Sequence, residues 1–201
     1  MNVAICAVFF CSGAAALLFE TLWFRQAGLV LGNTVWASAL VTAAFMAGLA
    51  LGNACAIRFG WRLTRPLRVF AFLEVIVAVT GGGLVLLLPY LSGLLAPVMS
   101  RLQGTPAIDA VRLLTTFVLL AGPASAMGAT LPVLARSLGV RDANFGRILG
   151  RLYGWNTLGA VAGALAGEWF LIRLLGVSAT GGIAASLDLA AAAGALSLIH
   201  I

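Results

Sequence analysis

Lysine is absent from this chain, histidine occurs once, and six acids stand against twelve arginines in 201 residues. Charged side chains make up 9% of the sequence and hydrophobic ones 62%. So little charge excludes an ordinary water-soluble globule, whose exterior needs far more polar groups. With a mean hydropathy of +1.10, lipid is the solvent that this composition fits. The net charge of +6 does not make a nucleic-acid binder, because no basic stretch is long enough to follow a phosphate backbone. Cysteine is scarce as well. Cys6, Cys11 and Cys55 are odd in number, lie inside apolar runs and match no metal-ligand spacing, so they read as small core residues. The single histidine, His200, has no nucleophile and orienting group around it. The glycine-rich "TGGGLVLLLP", residues 80–89, lies inside an apolar span without the polar helix start that a phosphate loop uses. No catalytic residue, cofactor site or metal site is assigned.

What the chain has in abundance is apolar length. Six runs approach the roughly 20 residues that a helix needs to cross the hydrocarbon layer: 3–24, 34–57, 69–89, 107–135, 152–172 and 179–200. They predict an all-α fold, a polytopic membrane bundle of about six transmembrane helices forming one unit over 1–201. The first run has no basic segment before it and is followed by Arg25, which reads as an uncleaved span rather than a secretory signal. Pro123 and Pro132 in "GPASAMGATLP" predict a kinked fourth helix. Pro97 and Gly104 break the stretch from Pro89 to Pro106, which is expected to lie along the outer interface as a short amphipathic piece.

Arginine distribution gives sidedness. Arg58, Arg62, Arg65 and Arg68 follow the second run; Arg136, Arg141, Arg147 and Arg151 follow the fourth. Two intervening spans put both groups on one side, and the positive-inside bias makes that side, with both termini, cytoplasmic. Glycine spacing suggests where helices meet. "GLALG" places Gly48 and Gly52 on one face, and "GAVAGALAG" places Gly159, Gly163 and Gly167 on another, so that backbones can close up.

The remaining signals are ionisable groups within or near the apolar runs. Glu20, Arg112 and Glu168 fall toward the outer ends of their spans, close in depth to Trp23, Trp36 and Trp169. Acids beside indole rings suit an organic cation. The simpler structural reading pairs Glu20 with Arg25 or Arg112 and leaves the tryptophans as an interfacial belt. The candidate polar cluster is Glu20, Trp23, Arg25, Arg112 and Glu168. Asp109 and Arg112, three apart on one helix, read as a local pair. Asp188 falls near mid-run, where an ionised carboxylate costs about 2.5–3.5 kcal/mol on insertion scales; it is expected to face the bundle or carry a proton. Glu74, about two turns inside its span, is expected to reach an arginine of a basic loop.

Four blocks carry a family resemblance: "SGAAALLFETLWFRQAGLVLGNTVWASALVTAAFMAGLALGN", "RPLRVFAFLE", "GATLPVLARSL" and "GRLYGWNTLGAVAGALAG". In this order, over nearly the whole chain, they resemble the membrane domain of bacterial spermidine synthase-like integral membrane proteins. There an N-terminal bundle, likened to part of a major facilitator transporter, precedes a cytosolic aminopropyltransferase-type domain. The resemblance implies a multi-pass protein of the bacterial inner membrane and a downstream transferase domain. That domain would carry an adenosyl-cofactor glycine loop and polyamine-binding acids, none of it within these residues. Lipid, the transferase domain and polyamine are the partners implied, and homo-oligomers are left open. Trp61 stands before Arg62 where such proteins often carry an Asp-Arg pair, so no facilitator-like gate is carried over. No role is transferred to Asp188 either, since relatives commonly hold an amide or apolar residue there. The closing "LSLIHI" resembles translated adapter read-through; residues 196–201 are expected to be non-native, and no function is placed on Ser197 or His200. The competing readings are a transporter half-bundle that needs a dimer or second repeat to enclose a pathway, and a purely structural anchor.

Overall fold

The computed structural model describes residues 3–31, 35–105, 107–138 and 145–200. Arg141 and Pro106 lie outside these, as do the side chains of Trp36, Trp61 and His200. Among the described residues there are six α-helices and no strand. They are α1 (Val3–Leu31), α2 (Val35–Phe59), α3 (Pro66–Leu102), α4 (Ala107–Ser137), α5 (Phe145–Ala166) and α6 (Ile172–Ser197). A π-helical turn, Gly167–Leu171, joins α5 to α6. Five helical stretches are long and apolar enough to cross a membrane, and many large apolar side chains remain exposed on the outer faces, among them Val79, Leu86, Val118, Leu158 and Leu174. The protein is an all-α membrane bundle, and those faces suit contact with lipid.

Helix α3 departs from the sequence reading. It continues through Pro89 and Pro97 to Leu102 instead of breaking into an interfacial piece. Each proline forfeits one backbone bond, but Leu88, Leu91, Leu95 and Met99 keep packing on the core and hold the extension in place. In α4, Pro123 and Pro132 likewise sit inside one continuous helix. The helix ends also run past the apolar runs, because Arg147, Arg151 and Arg173 stop a hydropathy count without stopping a helix.

The last apolar stretch, Phe145–Ser197, is 53 residues long. As one straight rod it would measure about 80 Å, far more than a hydrocarbon layer of about 30 Å. It doubles back instead. Gly159 faces Phe10, Gly163 faces Ala14 and Gly167 faces Leu18, so α5 runs parallel to α1. Gly194 faces Val8, while Gly181 faces Val85 and Gly82 faces Ala185, so α6 runs antiparallel to α1 and α3. The break is at Gly176, with φ 81 and ψ 173, a conformation that only glycine adopts without strain.

Two apolar clusters form the core. One gathers Phe9, Phe70, Leu134, Leu152 and Ala195; the other gathers Phe19, Trp23, Phe45, Leu88, Leu120 and Ala184. Helices α1 and α3 enter the first cluster before the second, α4 and α6 the second before the first, so direction alternates along the chain. The first cluster lies toward the end bearing residues 60–65, where Arg65, Arg68, Ser137, Leu198 and Ile199 line one surface recess.

The helices associate as three pairs, α2 with α4, α1 with α5 and α3 with α6. In addition α1 packs on α6, and α4 packs on α3, whereas α1 and α2 barely meet, nor do α4 and α5. Exchanging α1–α3 for α4–α6 carries α1/α5 onto α4/α2, α1/α6 onto α4/α3, and α3/α6 onto itself. Since α1 and α4 point in opposite directions, these are the pairings of an inverted repeat. One contact, α1 on α3, has no counterpart of similar extent. It is reinforced by hydrogen bonds from Trp23 Nε1 to Gly81 O at 3.3 Å and from Gln26 Nε2 to Val85 O at 2.7 Å.

Candidate functional site

The weak α1/α2 and α4/α5 contacts leave a cleft between the α1/α5 pair and the α2/α4 pair, backed by α3 and α6. It encloses about 700 Å³. Most of its wall is apolar, with Phe9, Phe45, Leu49, Val77 and Met127 among the lining residues. Its polar groups come from every helix. Ser12 and Glu20 project from α1, Asn53 from α2, Glu74 from α3, Thr130 from α4, Tyr153 and Asn156 from α5, and Asp188 from α6. Among the described residues no arginine, lysine or histidine lines it. Three carboxyl groups on a largely apolar wall, with no base facing them among the described residues, suit a cation better than an anion.

Glu74 and Asp188 are each 1% exposed. Glu74 accepts a 2.7 Å hydrogen bond from Ser12 Oγ, and its carboxyl adjoins that of Asp188. The pair lies between the two apolar clusters. On α3 it is flanked by Ala71 and Val77, and on α6 by Ala184 and Ala191, each from the adjoining cluster. Asp188 Oδ2 is buried with no hydrogen-bond partner. Glu74 therefore faces inward, bonded to Ser12 of α1 and beside Asp188 of α6, and not toward a loop arginine as its position in the sequence suggested. Burial across α3/α6 decides this, and it is invisible along the chain.

Leu17 and Glu20 also line a second recess of about 630 Å³, which contains Arg25, Thr42 and Glu168. Here the expected pairing changes. Arg25 Nη1 lies 3.7 Å from Glu168 Oε2, both side chains about half-exposed, while Glu20 makes no ion pair among the described residues. Arg112 is occupied by Asp109 at 3.4 Å on its own helix. Of the candidate cluster, then, Glu20, Arg25 and Glu168 meet in one recess, and Arg112 lies elsewhere. Trp23 is also apart: it is buried and stacks on Phe19 with ring centroids 5.5 Å apart. The π-helical turn that carries Glu168 shifts that side chain's angular position relative to regular α-helix, as such turns do where a helix serves a site.

The glycines lie on contact faces. A Cβ on Gly48 or Gly52 would meet Ala124 or Ser125 of α4, and one on Gly159, Gly163 or Gly167 would meet Phe10, Ala14 or Leu18 of α1. Gly13, not singled out from the sequence, is equally close to Asn156. Ser12, Asn53, Tyr153 and Asn156 also escaped notice, being ordinary residues in apolar runs; the available signal was that each is a polar side chain within such a run. Among the described residues no three His, Cys, Asp or Glu side chains come together as a metal site. The chain matches no family model, no curated protein and no solved structure.

Proposed function

We propose that this chain is the membrane portion of a spermidine synthase-like protein of the bacterial inner membrane, with both termini cytoplasmic. In this reading it anchors a cytosolic aminopropyltransferase-type domain and holds polyamine in its cleft. The observation that carries the polyamine half is the cleft wall, which among the described residues has three carboxyl groups and no base. Their spacing supports an elongated ligand. Glu74 is bonded to Ser12, and Glu20 stands eight residues further along the same helix, a rise of about 12 Å. Acids at two levels suit ammonium groups at the two ends of an extended triamine better than a short diamine. The apolar wall between them suits the methylene chain.

The test is equilibrium binding of radiolabelled spermidine to the full chain in phosphatidylcholine nanodiscs. Saturable binding is expected, weakened about tenfold or more by Glu20→Gln, with putrescine competing poorly. Absence of saturable binding would overturn the polyamine half. The anchoring half rests on the sequence blocks, and it is tested by the coding sequence beyond Ile201. A glycine-rich strand-turn-helix unit is expected there.

A second reading, a facilitator-like half-bundle that passes amines across the membrane, is favoured by one observation, the inverted pairing of α1–α3 with α4–α6 around the cleft. Proteoliposomes separate the two. Time-dependent uptake of spermidine supports the carrier, and binding without uptake supports the anchor.

A further inference from the structure

We infer that the Glu74–Asp188 pair is an exchange site, at which a primary ammonium group entering the cleft displaces one proton. The inference rests on the cation-binding reading above and specifies its chemistry. Two adjoining carboxyl groups that are each 1% exposed cannot both be ionised without a cation beside them, so the pair by itself keeps a proton. The groups facing it explain why. From α1 come Cys11 and Ser12, and further along Glu20; from α5 comes Tyr153; α2 and α4 present Asn53 and Thr130, which do not titrate in this range. None of these is a base. Among the described residues no fixed positive charge lines the cleft to balance a second carboxylate, and a mobile cation can do so.

The unpartnered Oδ2 of Asp188 shows where that cation attaches. It is a buried acceptor on a side chain of the cleft wall, and it lacks a donor. An ammonium group supplies three N–H donors. One satisfies Asp188 Oδ2, another bonds Glu74 in place of the pair's proton, and the displaced proton leaves to water along the cleft. The exchange balances as R–NH₃⁺ plus a carboxylic acid giving an ammonium–carboxylate pair plus H⁺. No bond to carbon changes and no electron is transferred. Ser12 Oγ, donating to Glu74 Oε1 at 2.7 Å, holds that carboxyl in place in both states. A quaternary ammonium has no N–H and cannot substitute for the pair's proton.

Proton release decides the matter. The full chain in phosphatidylcholine nanodiscs is titrated with spermidine in weakly buffered solution near pH ~6.5, where alkylamines are fully protonated, with a pH-indicating dye. One proton is expected to appear per spermidine bound, and affinity to fall about tenfold for each unit by which pH is lowered. A tetraalkylammonium ion should release none. The Glu74→Gln variant keeps an amide against Asp188 and should bind without releasing a proton; if it fails to fold, the wild-type stoichiometry still decides. Saturable wild-type binding with no proton released and an affinity independent of pH would overturn the exchange and leave the pair a structural contact. No wild-type binding at all would overturn the polyamine reading beneath it, a result distinct from the first.

Discussion

Replacing Gly163 by alanine tests how closely α1 and α5 are packed. An ideal Cβ at this position would stand 2.9 Å from the carbonyl carbon and the Cα of Ala14, and closer still to its carbonyl oxygen. Ordinary carbon–carbon contact begins at about 3.5 Å, so the two backbones must part by several tenths of an ångström. The neighbour is backbone and cannot rotate away. Overpacking of this kind costs about 1–3 kcal/mol, which for a chain of this size lowers Tm by about 2–12 °C. Gly159→Ala meets Phe10 in the same way one turn earlier. Because a single displacement of α5 relieves both clashes, the double variant should lose less than the sum of the single losses.

The control lies on the same helix. A Cβ at Gly154 meets nothing within 4 Å, so Gly154→Ala should leave stability unchanged or raise it by up to about 1 kcal/mol through helix propensity. Thermal unfolding of the purified protein in detergent, followed by circular dichroism, compares the three. Equal Tm values for Gly163→Ala and Gly154→Ala would refute the close approach of α1 and α5, and with it the way the cleft is walled on that side.

Arg25→Ala should shift Tm by less than about 4 °C, since a half-exposed ion pair contributes at most about 1 kcal/mol; a larger loss in the same melts would mean that the recess at Glu20 depends on it. Gln26→Leu should be close to neutral, because it removes a 2.7 Å bond to Val85 O together with a buried, unpartnered Oε1, whereas Trp23→Ala should cost about 3–5 kcal/mol; similar melts for these two would contradict the α1/α3 packing. In a background with Cys6, Cys11 and Cys55 replaced, Thr64→Cys should be shielded from a membrane-impermeant thiol reagent in intact cells and Gly104→Cys labelled, both positions being exposed; the reverse pattern would invert the bundle.

The helical class was legible because apolar length and sparse charge leave few alternatives, and the alternation of spans followed from counting them. Partners were less legible. Glu20 and Arg25 are five residues apart, and at 3.6 residues per turn their side chains point about 140° away from each other, so proximity along the chain misled. Arg25 turns instead to Glu168, which arrives from α5 on a π-helical turn that no composition count marks. Glu74 and Asp188 are 114 residues apart, and their meeting depends on α3 packing antiparallel to α6. Each was visible alone as a costly acid in a span. That they adjoin across α3 and α6 was not.

Depth along the helices gives this pair its meaning. On α1 the first apolar cluster ends at Phe9 and the second begins at Leu18, with Ser12 between; on α3 Glu74 falls in the corresponding gap, and on α6 Asp188 does. Three helices thus place a polar side chain at one level and divide what would otherwise be a continuous core. Exchanging a buried polar set for apolar residues of similar volume is often neutral or stabilising, so anchoring alone gives no physical reason for the interruption. A bundle that only held a domain to the membrane would gain by fusing its two clusters. The interruption opens onto a cleft with a third acid, Glu20, about 12 Å further along α1, and the cation binding proposed above would supply the reason that anchoring does not.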